Sequence, residues 1–284
     1  MPFSAASAAL ATVPAPLNNL LPPVSAEQIA DYQRDGYLLL GQLLDQAGVQ
    51  RLRDEMERVM ADQGRSDRPQ PVMLRRWGGA DDPQTIWQIV NIWQASPAFA
   101  ELAQMPALAA AVAKLHGARE LRLWHDQIQY KPAKNGGTNN WHQDSPYWPV
   151  LAPQDAITAW IALDDAGEDN GCMSMVPGSH RWGDQIELLH TIKDFKVLPE
   201  ACGGERVESR LRPVPAGWVH IHHSLTWHGS HSNYSGRPRR AIALHFFGED
   251  VRFRAAGNHV MKPFIQSADG EPVRGEPFLL VHKS

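Results

Sequence analysis

Trp141-His142-Gln143-Asp144 sets an imidazole and a carboxylate two positions apart. On a strand, successive side chains alternate faces, so His142 and Asp144 would point the same way. They supply two of the three donors in the two-histidine, one-carboxylate face that binds non-haem Fe(II). Alone, such a pair is common and reads as a hydrogen-bonded surface pair. A third donor must come from another strand, and the second histidine-rich stretch offers His220, His222, His223, His228 and His231. A histidine on an apolar strand is ordinarily a satisfied core or supporting residue, so most of the five must be structural. His228 differs in its surroundings. Gly229 permits close backbone approach, Ser230 offers a hydroxyl, and Arg239, eleven positions on, offers a bidentate fork for a carboxylate. A metal face with open positions beside an Arg/Ser pair is what a bound dicarboxylate would require.

The elements that must position these groups follow from the rest of the chain. Ser25 and Gln28 form a capping box for a helix running to about Arg34, and Gly36 ends it before the apolar strand Tyr37–Leu40. A second helix is expected from about Asp45 to Ala61, with Val49, Leu52 and Met56 on one face. Residues 63–84 read as a polar, Gly/Pro-containing loop around an island, Met73-Leu74-Arg75-Arg76-Trp77. A third helix is expected from Pro97 to about Leu115. From residue 120 the pattern changes to short strands: 121–130, 155–163, 171–176, 218–227 and 240–247. Gly and Pro punctuate them, which indicates an all-β sandwich or barrel, with the earlier helices buttressing one face.

Composition narrows the function. The 284 residues carry 27 Lys and Arg against 31 Asp and Glu, a net charge of −4, with no basic stripe for nucleic acid. No apolar run is expected to reach the ~20 residues that span a bilayer. Two cysteines, Cys172 and Cys202, are too few for a disulfide framework and read as free thiols in a reducing cytoplasm. Residues 1–24 lack the charged start of a signal peptide, and Pro14 and Pro16 interrupt any apolar run. They read as a flexible or surface-hugging arm ahead of one domain, 25–284.

The ordered series of motifs resembles the phytanoyl-CoA dioxygenase family of Fe(II)/2-oxoglutarate-dependent oxygenases. Its marks are Asp35-Gly36-Tyr37, Tyr130-Lys131-Pro132, Trp141-His142-Gln143-Asp144 and Asp169-Asn170-Gly171-Cys172. Val176-Pro177-Gly178-Ser179-His180, His223-Ser224, His228-Gly229-Ser230 and Arg239 complete it. The resemblance covers most of residues 25–250. It implies a mainly β, cupin-like jelly roll (a double-stranded β-helix) with iron at one mouth of the barrel.

Carried over by position, the resemblance makes His142, Asp144 and His228 the iron ligands. Arg239 and Ser230 would hold the distal carboxylate of 2-oxoglutarate, with Trp160 and Gln127 as further cosubstrate contacts. Arg237 and Arg240 compete for that role; the eleven-residue spacing from His228 selects Arg239. His180 and His223 read as turn-stabilising or supporting residues. The implied activity uses O2 and 2-oxoglutarate to hydroxylate an aliphatic C–H of a small molecule, giving succinate and CO2. Related halogenases replace the carboxylate ligand with a small residue, so Asp144 favours hydroxylation. Desaturation, ring closure and epimerisation use the same metal site, and a non-catalytic cupin-like metal protein is a further alternative. Tyr147, Trp148, Arg75 and Trp77 are candidate substrate-facing residues, with Trp87 and Trp93 packed behind. Neither the substrate nor the oligomeric state is fixed by the sequence.

Overall fold

The computed structural model describes residues 15–77, 85–134 and 136–284. Residues 1–14 of the arm, 78–84 of the polar loop and the Trp77 side chain lie outside the described residues. In chain order the elements are α1 (Ala26–Asp35), β1 (Tyr37–Gln42), α2 (Gln46–Ala61), β2 (Met73–Trp77) and β3 (Ile86–Val90). Next come α3 (Pro97–Ala103), α4 (Pro106–His116), β4 (Glu120–Lys131), β5 (Asn139–His142), β6 (Leu151–Ala152) and β7 (Ala156–Ala162). β8 (Met173–Met175), α5 (Ile186–Thr191), β9 (Ala201–Cys202), β10 (Glu205–Arg206) and β11 (Arg210–Arg212) follow. The chain ends with β12 (Trp218–His223), β13 (His228–Ser230), β14 (Arg239–Gly248), β15 (Arg252–Phe253) and β16 (Leu280–Lys283).

The major sheet runs β1-β12-β7-β14-β4-β3-β2, with β16 on the free part of β4. The minor sheet runs β11-β8-β13-β5. Alternation along the strands gives the major sheet two faces. Ile128, Ile161, Ile221, Ile242 and Leu244 share a core with Leu52 and Met56 of α2, Phe99 of α3 and Val112 of α4. Burial of side chains of this size contributes about 1.5–3 kcal/mol each and fixes the helices on that face. On the opposite face Trp160, Ala241 and Ala243 pack against Met173 and Met175 of the minor sheet. The result is the expected jelly roll with helices on one side.

Local signals account for the ends of several elements. Ser25 Oγ accepts from the Gln28 N–H at 3.1 Å while Gln28 Oε1 accepts from the Ser25 N–H at 3.0 Å. Gly36 then closes α1 at φ +77°, where a Cβ would run into the His180 ring.

Three expectations need correction. The third helix is two, α3 and α4, because Pro106 lacks an N–H and drives Met105 to an extended ψ of 114°. The stretch Pro97–His116 is long and apolar enough on average to cross a membrane, contrary to the reading of the sequence. Here it is split, and it buries Phe99, Leu102, Leu108 and Val112 in the core. The island at 73–77 is strand β2, paired with β3. The described part of the arm is docked: Leu17, Leu21 and Val24 are buried, and the Leu17 N–H donates to Glu101. Cys172 and Cys202 are both free thiols and buried.

Candidate active site

Five strands place one row of side chains across the inner face of the major sheet. His125 of β4 lies opposite His245 of β14, which lies opposite Thr158 of β7, which lies opposite His222 of β12, opposite Tyr37 of β1. The next row on the same face is Gln127, Ala243, Trp160 and His220. Both rows follow from the two-residue period of a strand once register is set.

The minor sheet brings His142 and His228 over this row. The two are direct partners in the β5–β13 ladder, with ring centroids 4.1 Å apart. Gly229 makes the approach possible, since a Cβ there would sit 2.9 Å from the Asn139 carbonyl oxygen and 3.1 Å from that of Asn140. His142 Nδ1 donates to the Asn140 carbonyl at 2.7 Å, and His228 Nδ1 donates to the Thr226 carbonyl at 2.9 Å. Each proton is thereby fixed on Nδ1, and each Nε2 presents a lone pair. Those atoms lie 3.8 Å and 3.6 Å from Asp144 Oδ1, and the three donor atoms all fall within 4.8 Å of one another.

Asp144 reaches this point differently from the strand geometry expected of it. β5 ends at His142, and Asp144 is in the right-handed helical region, at φ −75° and ψ −52°. Its N–H donates to the Ser224 carbonyl at 2.8 Å. Gln143 pins the turn, donating to the carbonyls of Gly183 and Leu225 and accepting from the Gln185 N–H. His142 and Asp144 therefore converge through a turn held by neighbouring loops, not through strand alternation.

The second carboxylate oxygen is held from the sheet. Thr158 Oγ donates to Asp144 Oδ2 at 3.0 Å, and His222 Nε2 donates to the same atom at 3.1 Å. Oδ1 is left facing the two histidines. Burial alone would raise the Asp144 carboxyl, but His228, His222 and His245 around it hold it well below the usual carboxylate range. Burial likewise pulls His142 and His228 down to about 4, so two neutral imidazoles face one carboxylate at neutral pH. Fixed tautomers, converging lone pairs and an ionised carboxylate fit a divalent iron ion.

Arg239 opens the other end of the same cavity, of about 1630 Å³, and is 1% exposed. No carboxylate among the described residues pairs with it. Its Nη2 is 3.5 Å from Ser230 Oγ, its Nη1 3.5 Å from the Gln129 carbonyl, and its Nε has no partner among the described residues. Burial lowers this guanidinium to about 10. The competing arginines are engaged elsewhere: Arg237 with Asp169, and Arg240 with Asp164 and Glu57. Trp160 lies under the Arg239 guanidinium, 5.6 Å from Cζ to ring centroid. Gln127 lines the cavity and accepts from Gln88 Nε2 at 2.7 Å, and Gln88 in turn accepts from Arg75 Nε at 2.8 Å.

Of the substrate-facing candidates, Tyr147, Trp148 and Arg75 line this cavity. Tyr147 is 48% exposed at the mouth and hydrogen-bonds His190 at 2.9 Å, whereas Trp148 is buried deeper against His245 and His125. Trp93 packs against the helix-side core. His223 accepts from the Leu225 N–H in a turn, with His180 beside it. His125, Thr158, His245 and His259, none of them singled out by the sequence, also line the cavity, as does His222, one of the five histidines weighed there as a third donor. For His245 a signal existed, since it lies an even six positions from Arg239 on one strand.

The phytanoyl-CoA dioxygenase family model matches residues 32–241. The chain belongs to the phytanoyl-CoA dioxygenase family. It is 32% identical over 243 residues to an ectoine dioxygenase of Bordetella parapertussis, covering 78% of this chain and 74% of the relative. It is 25% identical over 265 residues to the L-proline trans-4-hydroxylase of Streptomyces griseoviridis, covering 85% and 92%. Among solved structures it resembles the non-haem alpha-ketoglutarate-dependent carbocyclase SnoK from nogalamycin biosynthesis. That match has a TM-score of 0.73 and 27% identity, over 91% of this chain and 96% of the other. EctD from S. alaskensis, solved with 2-oxoglutarate and 5-hydroxyectoine, matches with a TM-score of 0.67 and 25% identity, over 92% and 88%. Like its relatives in the phytanoyl-CoA dioxygenase family, the chain is an iron- and 2-oxoglutarate-dependent oxygenase.

Proposed function

We propose that the chain hydroxylates an aliphatic C–H of a small-molecule metabolite. O2 and 2-oxoglutarate are consumed, one oxygen atom enters the product alcohol, and the other enters succinate as CO2 leaves. The observation that carries this reading is the pairing, within one cavity, of the His142–Asp144–His228 face with a buried Arg239 that has no carboxylate partner among the described residues. A buried guanidinium is stable when a carboxylate reaches it, and a dicarboxylate whose other end meets the metal supplies one.

His142, Asp144 and His228 would hold the iron, which when bound supplies O2 activation. The residues of the chain do the rest. Arg239, with Ser230, binds and orients the distal carboxylate over Trp160, beside Gln127. Thr158 and His222 keep Asp144 Oδ2 occupied, so that a single oxygen is offered to the metal. The apolar part of the wall, with Trp148 and Trp160, excludes water. Buried free Cys172 and Cys202 accord with a reducing, cytoplasmic setting.

Anaerobic addition of Fe(II) and 2-oxoglutarate should give a weak visible charge-transfer band, and admission of O2 should release succinate. Failure of both would remove the reading. The likeness to a carbocyclase favours ring closure as the second reading. Product mass separates them, because hydroxylation adds one oxygen whereas ring closure removes two hydrogens.

A further inference from the structure

The cross-strand row continues past the metal-facing groups into a cluster of imidazoles that the metal and cosubstrate do not use. His125 and His245 have ring centroids 4.7 Å apart, His259 lies 5.5 Å from His125, and Trp148 lies 4.9 Å from His245. All four line the cavity. We propose that His125, His245 and His259, beside Trp148, form the subsite for the reacting molecule, and that it takes an uncharged hydroxyl-bearing group, a diol or polyol. This rests on the oxygenase reading of the same cavity and names the substrate chemistry it selects.

The hydrogen bonds fix where each proton sits. Thr158 spends its own proton on Asp144, so its oxygen accepts from His245 Nδ1 at 2.8 Å. His245 Nε2 therefore carries a lone pair. His125 Nδ1 lies 3.2 Å from the Asp126 carbonyl and must donate to it, which leaves a lone pair on Nε2. That Nε2 is buried and has no partner among the described residues. His259 is reversed: its Nδ1 accepts from the Met261 N–H at 3.2 Å, so its proton is on Nε2. The wall offers two acceptors and one donor.

A buried acceptor without a partner is costly, and a ligand that satisfies it is favoured. A hydroxyl both donates and accepts, so neighbouring hydroxyls can serve all three nitrogens while the carbon frame lies along Trp148. A carboxylate or phosphate brings no proton to the two lone pairs. An ammonium suits the lone pairs but meets the His259 N–H. Position agrees with this role, because His245 is the register partner of Thr158, which touches Asp144. Arg239 is six residues further along β14, roughly 20 Å away at about 3.3 Å per residue. A hydroxyl anchored on the histidines thus leaves an adjacent C–H beside the metal face and clear of the cosubstrate end.

The test uses the protein loaded with Zn(II) and 2-oxoglutarate, and saturation-transfer NMR with three probes of one size. These are trans-1,2-cyclohexanediol, cyclohexanecarboxylate and cyclohexylammonium. Transfer to the diol is expected to exceed that to either ion. H125F and H259F should weaken diol binding roughly tenfold, while H125Q, which keeps an acceptor oxygen, should retain it. Zn(II) and 2-oxoglutarate titrations on the same samples report on the oxygenase reading by itself. Loss of both in the wild-type protein would overturn that reading. With both retained, preference for the carboxylate, no diol signal, or equal diol binding in H125F would overturn the subsite.

Discussion

His142 and His228 face each other across the β5–β13 ladder, and each ties its Nδ1 to the carbonyl oxygen two residues before itself. The same short-range device, used on two strands that are distant in sequence, sets both lone pairs on one point. Removing either ring, or the Asp144 carboxylate between them, leaves two donors. H142A, D144A and H228A should each weaken metal affinity by more than about 100-fold, beyond the 10–100-fold typical of a lost supporting residue. Mn(II) titration calorimetry checks this; near-native affinity in any of the three would displace that residue from the ligand set.

Thr158 offers a quieter test of the same centre. Thr158→Val keeps the side-chain shape but removes the proton that holds Asp144 Oδ2. The carboxylate can then rotate, and metal affinity should fall about 10–100-fold with little change in fold. An unchanged titration would show that His222 alone positions the carboxylate.

Arg239 should separate binding from stability. Truncating one partner of a buried charge pair typically costs about 2–5 kcal/mol of binding, which predicts at least roughly 30-fold weaker 2-oxoglutarate binding in R239M. Without cosubstrate the same change removes a buried charge that has no ionic partner among the described residues, so the apo protein should melt at the same temperature or higher. A large fall in the apo melting temperature would mean the guanidinium is structural.

Acid should destabilise the metal-free protein well above the carboxylate range. Burial holds His142, His180, His228, His245 and His259 at about 4 in the folded chain. Unfolded, they protonate near the ordinary value of about 6.5. Between these values the unfolded chain binds more protons, so stability is full at neutral pH and falls as pH drops. Asp126, which burial pushes up to about 7, acts in the opposite sense, one group against five. Melting temperatures of chelator-treated protein should fall steeply from pH 6.5 to 5. A flat profile would contradict the buried, neutral state of these rings.

Much of this was legible locally. The Ser25–Gln28 capping box, the stop at Gly36 and the short strands at 121–130 and 240–247 depend on neighbouring residues, and each appears where expected. The choice of His228 rested on Gly229, Ser230 and Arg239, again within one stretch. Asp144 was named for a reason that the structure replaces, because its turn is set by Ser224 and by Gln143 reaching Gly183 and Leu225. No reading of residues 141–144 by themselves contains those contacts. The row from His125 to His222 joins four strands whose order along the sheet is not their order in the chain. Its members become neighbours only through register.

The groups proposed to hold iron and cosubstrate stand largely on paired strands, while much of the cavity's outer wall belongs to helix α5, with His190, and to connecting segments, with Tyr147, Phe195, Tyr234 and Val260. Such an arrangement divides the molecule into a part that selection must conserve and a part free to drift. Substitutions at the mouth can change which molecule is admitted without disturbing the donors beneath. Related chains can then diverge in what they transform while inheriting one reaction centre, much as a tool keeps its handle when its bit is exchanged.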